Sequence, residues 1–138
     1  MSEINYFFED IDSFEIPDNI SHWIKNTITS EGKTLGNLNY IFCSDNYILE
    51  INKQYLNHNY FTDIITFNYC KDNVVSGDIF ISVDTVKSNA KEYKQDYNNE
   101  LNRVIIHGVL HLLGYNDKSE TELFEMRQKE DFYLNLLP

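Results

Sequence analysis

Basic residues are scarce in this chain of 138 residues: 11 Lys and Arg stand against 22 Asp and Glu, for a net charge of −11. A field of that sign repels nucleic-acid phosphates, so any nucleic-acid role has to use a local basic surface. Cysteine is scarcer still. Cys43 and Cys70 are too few for a disulfide framework and lack the paired spacing of a cysteine-based zinc site, which suits thiols buried in a reducing cytosol. With only two prolines and five glycines the chain does not read as disordered. No stretch reaches the ~18 apolar residues of a membrane span, and the leading MSEINYFFEDIDSF is acidic where a signal peptide is basic. A soluble, unprocessed, cytoplasmic protein without a membrane partner is expected.

Apolar and aromatic residues are plentiful. A hydrophobic fraction of 42%, with 10 Tyr and 9 Phe, is ample for a core, and the length suits one domain over residues 1–138. Ile4 to Phe8 reads as a strand. Pro17 then sits where a first helical turn tolerates it, and Ile20, Trp23, Ile24, Thr27 and Ile28 keep helical spacing until Gly32. Leu38, Tyr40 and Phe42 alternate with Asn39, Ile41 and Cys43 as a strand, and Ser44 or Asp45 can cap a helix with Ile48, Ile51 and Tyr55 as apolar positions. Asp63–Tyr69 and Gly77–Val83 are β-branched and aromatic, with turn-like KDN and SG between them, so a hairpin-like pair is expected. Asp84 can cap a polar helix to about Asp96, a second helix starts near Glu100, and Ser119 with Glu122 forms a capping-box pattern for a third. The order βαβαββααα is an α+β fold, a small sheet packed with helices.

From Leu101 to Leu113 apolar residues cover nearly every direction of a helix, so that helix is buried. His107 and His111 lie four apart and emerge from one of its faces, ~6 Å from each other. Buried imidazoles need partners, since an unsatisfied polar group costs on the order of 1–3 kcal/mol. Either each bonds a carbonyl or hydroxyl, or both hold a divalent metal. Gly108 lacks a side chain and could let another backbone or a substrate approach. Gly114 is placed to reverse the chain in the left-handed conformation, which could return Asp117 to the imidazoles as a third ligand and leave a position open, as in catalytic zinc. Asp117 could equally be a solvated loop acid.

These residues carry a resemblance. His107-Gly108-Val109-Leu110-His111-Leu112-Leu113-Gly114-Tyr115 is similar to the H-G-x-L-H-L-x-G-Y-x-H hallmark of the YbeY-type endoribonucleases of ribosomal RNA maturation. Thr62-Asp63-Ile64-Ile65-Thr66-Phe67 resembles that family's T-[DN]-V-L-S-F segment, and Gly77-Asp78-Ile79-Phe80-Ile81-Ser82 its G-D-I-x-I-S strand. The resemblance spans roughly the C-terminal two-thirds. It implies a mixed, roughly four-stranded sheet with a zincin-like central metal-binding helix, one divalent metal, usually zinc, and hydrolysis of single-stranded RNA by one metal-dependent hydrolase domain. It also implies ribosomal RNA, and with it ribosomal particles, as partners in rRNA maturation and ribosome quality control.

The chain departs from the family pattern twice. Asp117 falls where the family has a third histidine, a substitution zinc accepts, though the added charge makes the metal a weaker Lewis acid and suits a harder cation. Leu56 falls where the family has an arginine; the nearest cationic substitute is His58, which reads equally as an exposed loop histidine. Asp63 could accept a proton or orient a ligand histidine, or simply cap a strand, and Asp78 has the same two readings. Lys87, Lys91 and Lys94, spaced four and three on one helix, could track phosphates or be a solvated face. Gly108 stands where H-E-x-x-H peptidases carry their glutamate base, which disfavours peptidase chemistry. The expected function is thus a metal-dependent endoribonuclease with His107, His111 and Asp117 as ligands and Asp63 and His58 as catalytic candidates. A ribosome-assembly binding factor with a structural metal and a metal-dependent hydrolase of a non-RNA substrate are the alternatives.

Overall fold

The computed structural model describes residues 2–56 and 62–138. Among them, strands β1 (Glu3–Glu9), β2 (Thr34–Cys43), β3 (Ile64–Asn68) and β4 (Val74–Ser82) alternate with helices α1 (Asp18–Ser30), α2 (Asp45–Leu56), α3 (Val83–Glu92), α4 (Tyr97–Leu112) and α5 (Glu120–Leu134), in the order expected from the sequence. The sheet runs β1-β2-β4-β3. β1, β2 and β4 are parallel, and β3 pairs antiparallel with β4 as an edge strand, Thr66 opposite Ile79.

Period-two alternation decides the two faces of the sheet. Leu38, Tyr40 and Phe42 of β2 and Ile79 and Ile81 of β4 face the main core, with the buried residues of α1, α3, α4 and α5. On the other face Cys43 and Ile65 pack with Ile48 of α2, and Phe67 and Phe80 flank them. α4 holds the centre because it is apolar all round: Leu101, Val104, Ile105, Ile106, Val109, Leu110 and Leu112 are all buried. The Tyr40 hydroxyl donates to the Ile105 carbonyl at 3.0 Å, tying helix to sheet.

Gly108 is where α4 touches the sheet most closely. A Cβ there would lie 3.0 Å from two atoms of Ile79 and 3.1 Å from Ile64 Cδ1. Its missing side chain admits the sheet's own side chains, not a substrate.

Several boundaries differ from the sequence reading. Ser82, not Asp84, caps α3, its oxygen accepting from the Thr85 amide at 3.3 Å. α3 ends at Glu92, and Lys94 lies beyond it with φ 55°. The row Lys87, Lys91, Lys94 is therefore not one helix face; Lys87 instead sits 5.8 Å above the Tyr97 ring. α4 begins at Tyr97, not near Glu100, because Asp96 caps it by accepting from the Asn99 amide. In α2 the helical spacing that buries Ile48 turns Asn52 inward and leaves Tyr55 61% exposed. The α5 capping box at Ser119 and Glu122 is formed as expected.

Candidate metal centre

His107 and His111 leave α4 one turn apart, their ring centroids 4.5 Å from each other and their planes at 86°. Past Leu113 the backbone reverses at Gly114, φ +107°, where the Gly114 amide bonds the His111 carbonyl and the Tyr115 amide bonds that of Leu110, both at 3.0 Å. This is the glycine helix terminus expected from the motif. The reversal brings Asp117 Oδ2 to 3.2 Å from His107 Nε2 and 3.3 Å from His111 Nε2. One ligand atom from each of the three residues lies within 4.8 Å of the others, a grouping that could hold a metal ion.

The other ring nitrogens decide what the Nε2 atoms can do. His111 Nδ1 lies 3.1 Å from the Tyr115 carbonyl oxygen, which can only accept, so neutral His111 carries its hydrogen on Nδ1 and a lone pair on Nε2. Burial and the neighbouring His107 lower the His111 pKa and favour the neutral ring, against the pull of Asp117. A bare lone pair thus faces a carboxylate oxygen, acceptor against acceptor, and a cation between them relieves the conflict. Two nitrogens and one carboxylate oxygen match the protein donor set of open zinc sites.

His107 is held by a partner that the sequence did not reveal. Glu130 Oε2 of α5 accepts from His107 Nδ1 at 2.6 Å, and the Glu130 side chain is only 5% exposed. Burial acts to lower the His107 pKa, but the bond to Glu130 and its charge prevail and raise it. Conversely, burial acts to raise Glu130, and the bonds from His107 and Arg103 bring it below the usual carboxylate value. Arg103, one turn before His107, reaches Glu130 Oε1 at 2.8 Å and Asp131 Oδ1 at 2.6 Å. The signal in the sequence was a charge on an apolar stripe: Glu130 falls between Met126 and Tyr133 at helical spacing, and all three are buried.

The chain reversal has its own anchor. The Tyr115 hydroxyl donates to Glu31 Oε1 at 2.6 Å, the Tyr133 hydroxyl donates to the other oxygen of Glu31, and Lys129 Nζ lies 3.3 Å from it. Lys129 also sits 5.5 Å above the Tyr115 ring. Tyr115 is therefore fixed by its side chain while its carbonyl orients His111.

Of the remaining expected residues, Asp63 stands just before β3 and lines a cavity of about 140 Å³ with His107 and Glu130. Burial raises its carboxyl pKa, against the pull of His107. Asp78 is on the far face of the sheet, accepting from Asn39 Nδ2 at 3.0 Å, and takes no part in the centre. His58 lies outside the described residues. Leu56 is the last residue of α2 and 41% exposed. Burial pushes the Cys43 thiol up to about 12, leaving it inert.

Three comparisons bear on this geometry. A family model described as Endoribonuclease YbeY matches residues 4–138. An endoribonuclease YbeY of Parabacteroides distasonis is 52% identical over 136 residues, covering 98% of this chain and 96% of its own. One of Flavobacterium psychrophilum is 50% identical over 125 residues, 89% of each chain. A solution structure of a Thermotoga maritima protein superposes with a TM-score of 0.71 at 26% identity, over 96% of this chain and 88% of that one.

Proposed function

The chain belongs to the YbeY endoribonuclease family, and from that premise we propose that it is a metal-dependent endoribonuclease cutting single-stranded RNA in ribosomal RNA maturation and ribosome quality control. The observation that carries the metal dependence is the convergence of two imidazole nitrogens and the Asp117 carboxylate, with both Nδ1 atoms already engaged. Residues 1–138 act together as one hydrolase domain in this reading, with His107, His111 and Asp117 holding one zinc ion. Such an ion supplies Lewis acidity toward a phosphoryl oxygen and lowers the pKa of water toward ~7.

The protein's own groups do the rest. Glu130 and the Tyr115 carbonyl fix the two ring orientations, so both Nε2 atoms already point toward Asp117. Asp63 is the proposed proton acceptor: buried beside His107, its raised pKa makes it a better base than an exposed aspartate. His58 is proposed as a cationic contact to the scissile phosphate where Leu56 supplies none. Ribosomal particles in the cytoplasm are the proposed setting. Among the described residues no helix is long and apolar enough to cross a membrane.

Elemental analysis combined with cleavage of a single-stranded RNA oligonucleotide tests this reading. About one zinc per chain is expected, and His111→Ala should lose both metal and cleavage. Cleavage that persists in the metal-free variant would overturn it.

A further inference from the structure

The cavity of about 140 Å³ beside His107 continues into a second of about 210 Å³, and Tyr93, Glu100, Arg103 and Arg127 line both. Together they make a groove between the end of α3 and α5, with α4 as its floor and His107, one residue of the metal cluster, at its inner end. Arg103 and Arg127 are the two arginines of a chain with net charge −11, and both stand here.

They are in different states. The Arg103 fork is spent on Glu130 and Asp131, at 2.8 and 2.6 Å. Arg127 is 59% exposed and approaches Glu130 Oε1 only at 3.5 Å, an oxygen Arg103 already holds. Among the described residues its remaining donors have no hydrogen-bond partner, and a guanidinium fork matches phosphate oxygens two at a time. Across the groove Tyr93, the residue closing α3, is 59% exposed. An exposed aromatic ring and an exposed arginine lining one groove are the pairing by which proteins hold single-stranded nucleic acid, the ring stacking on a base and the cation meeting the backbone.

We propose that this groove carries the RNA strand next to the cleaved bond, Tyr93 stacking on an unpaired base and Arg127 gripping a phosphate. The inference rests on the endoribonuclease reading above. It also accounts for single-strand preference, because bases paired within a duplex offer Tyr93 no free face. The carboxyls of Asp63 and Glu130 line the inner cavity and that of Glu100 lines both, so phosphate is repelled along the groove except where the exposed Arg127 fork meets it. Arg127 is thereby the one exposed fixed cation among the described lining residues.

The test is the KM for cleavage of a labelled single-stranded RNA oligonucleotide by the metal-loaded protein. Tyr93→Ala and Arg127→Ala should each raise KM about tenfold, while Tyr93→Phe stays within about twofold of wild type and Arg127→Lys recovers part of the loss. Arg127→Ala should also flatten the salt dependence by about 0.7 in log–log slope, the share of one single-strand phosphate contact. Metal content and Tm should stay at wild-type values in all four, and Lys25→Ala, an equal loss of charge on α1, should leave KM alone. Wild-type KM in both alanine variants, or an equal rise in Lys25→Ala, overturns the groove while the endoribonuclease reading stands. Loaded wild-type protein that cuts no RNA overturns both.

Discussion

Glu130 shows at the scale of one residue how a ligand is aimed. Its buried carboxylate takes a hydrogen bond from His107 and another from Arg103, so Glu130→Gln should weaken metal binding by about 10- to 100-fold. Competition with a chromophoric chelator measures this, and a wild-type affinity would remove Glu130 from the orienting role. Glu31 makes a second case, through pH. Burial acts to raise its carboxyl, but hydrogen bonds from Tyr115, Tyr133 and Lys129 prevail and hold it below its ordinary 4.5. A carboxyl lowered on folding stabilises above its unfolded pKa, and that contribution fades as pH falls through the folded value. The Tm gap between wild type and Glu31→Gln should thus be full above about pH 4.5 and close on acidification. Its full size is about 1–3 kcal/mol for hydrogen bonds to a charged group, and a gap constant with pH would contradict it. His107, His111 and Asp117 were legible in the sequence because spacing and one glycine bring them together locally. Glu130 and Glu31 were not, because their partners are 23 and 84 residues away.

At the scale of the element, α4 and its terminus divide stability from site geometry. An alanine at 108 would press a methyl into Ile79 and Ile64 at 3.0–3.1 Å. Gly108→Ala should therefore lower stability by about 1–3 kcal/mol through overpacking. At Gly114 a Cβ meets nothing within 4 Å, but the backbone stands at φ +107°, where side chains are strained by about 1–2 kcal/mol. Gly114→Ala should relieve that strain by shifting the reversal, carrying Asp117 away from the imidazoles and reducing metal affinity more than Gly108→Ala does. Denaturation and metal titration of the pair check this; equal metal affinities would contradict it. Helix caps were partly legible. The Ser119 box reads directly because its two halves lie three residues apart, whereas Asp96 reads from the sequence as the end of α3 and in the structure caps α4. Asp and Ser serve either role, and only the neighbouring turns choose.

The whole molecule couples metal to fold across elements distant in the chain. The ligands come from α4 and the loop after it, Glu130 from α5, and the loop's anchor from the end of α1. A ligand that binds only the native state stabilises it by about 4 kcal/mol at a thousandfold excess over Kd, so chelation should lower Tm by roughly 14 °C. The far-UV signal at 25 °C should persist, since the core of α1, α4 and the sheet is built from apolar residues that include none of the three candidate ligands. Complete unfolding on chelation would instead make the metal a structural requirement.

The sequence by itself determined the order of elements, the buried helix, the two histidines on one face and the turn that returns Asp117. Each of these depends on spacing along a few turns of backbone. Tertiary structure alone decided the rest. It put β4 between β2 and β3 and turned Asp78 to the far face of the sheet. It set Glu130 behind His107 and gathered Tyr93 and both arginines along one groove. Contacts between α3, α4 and α5 arise only when apolar faces far apart in the chain close on one core, and local spacing carries no record of which polar residues then meet.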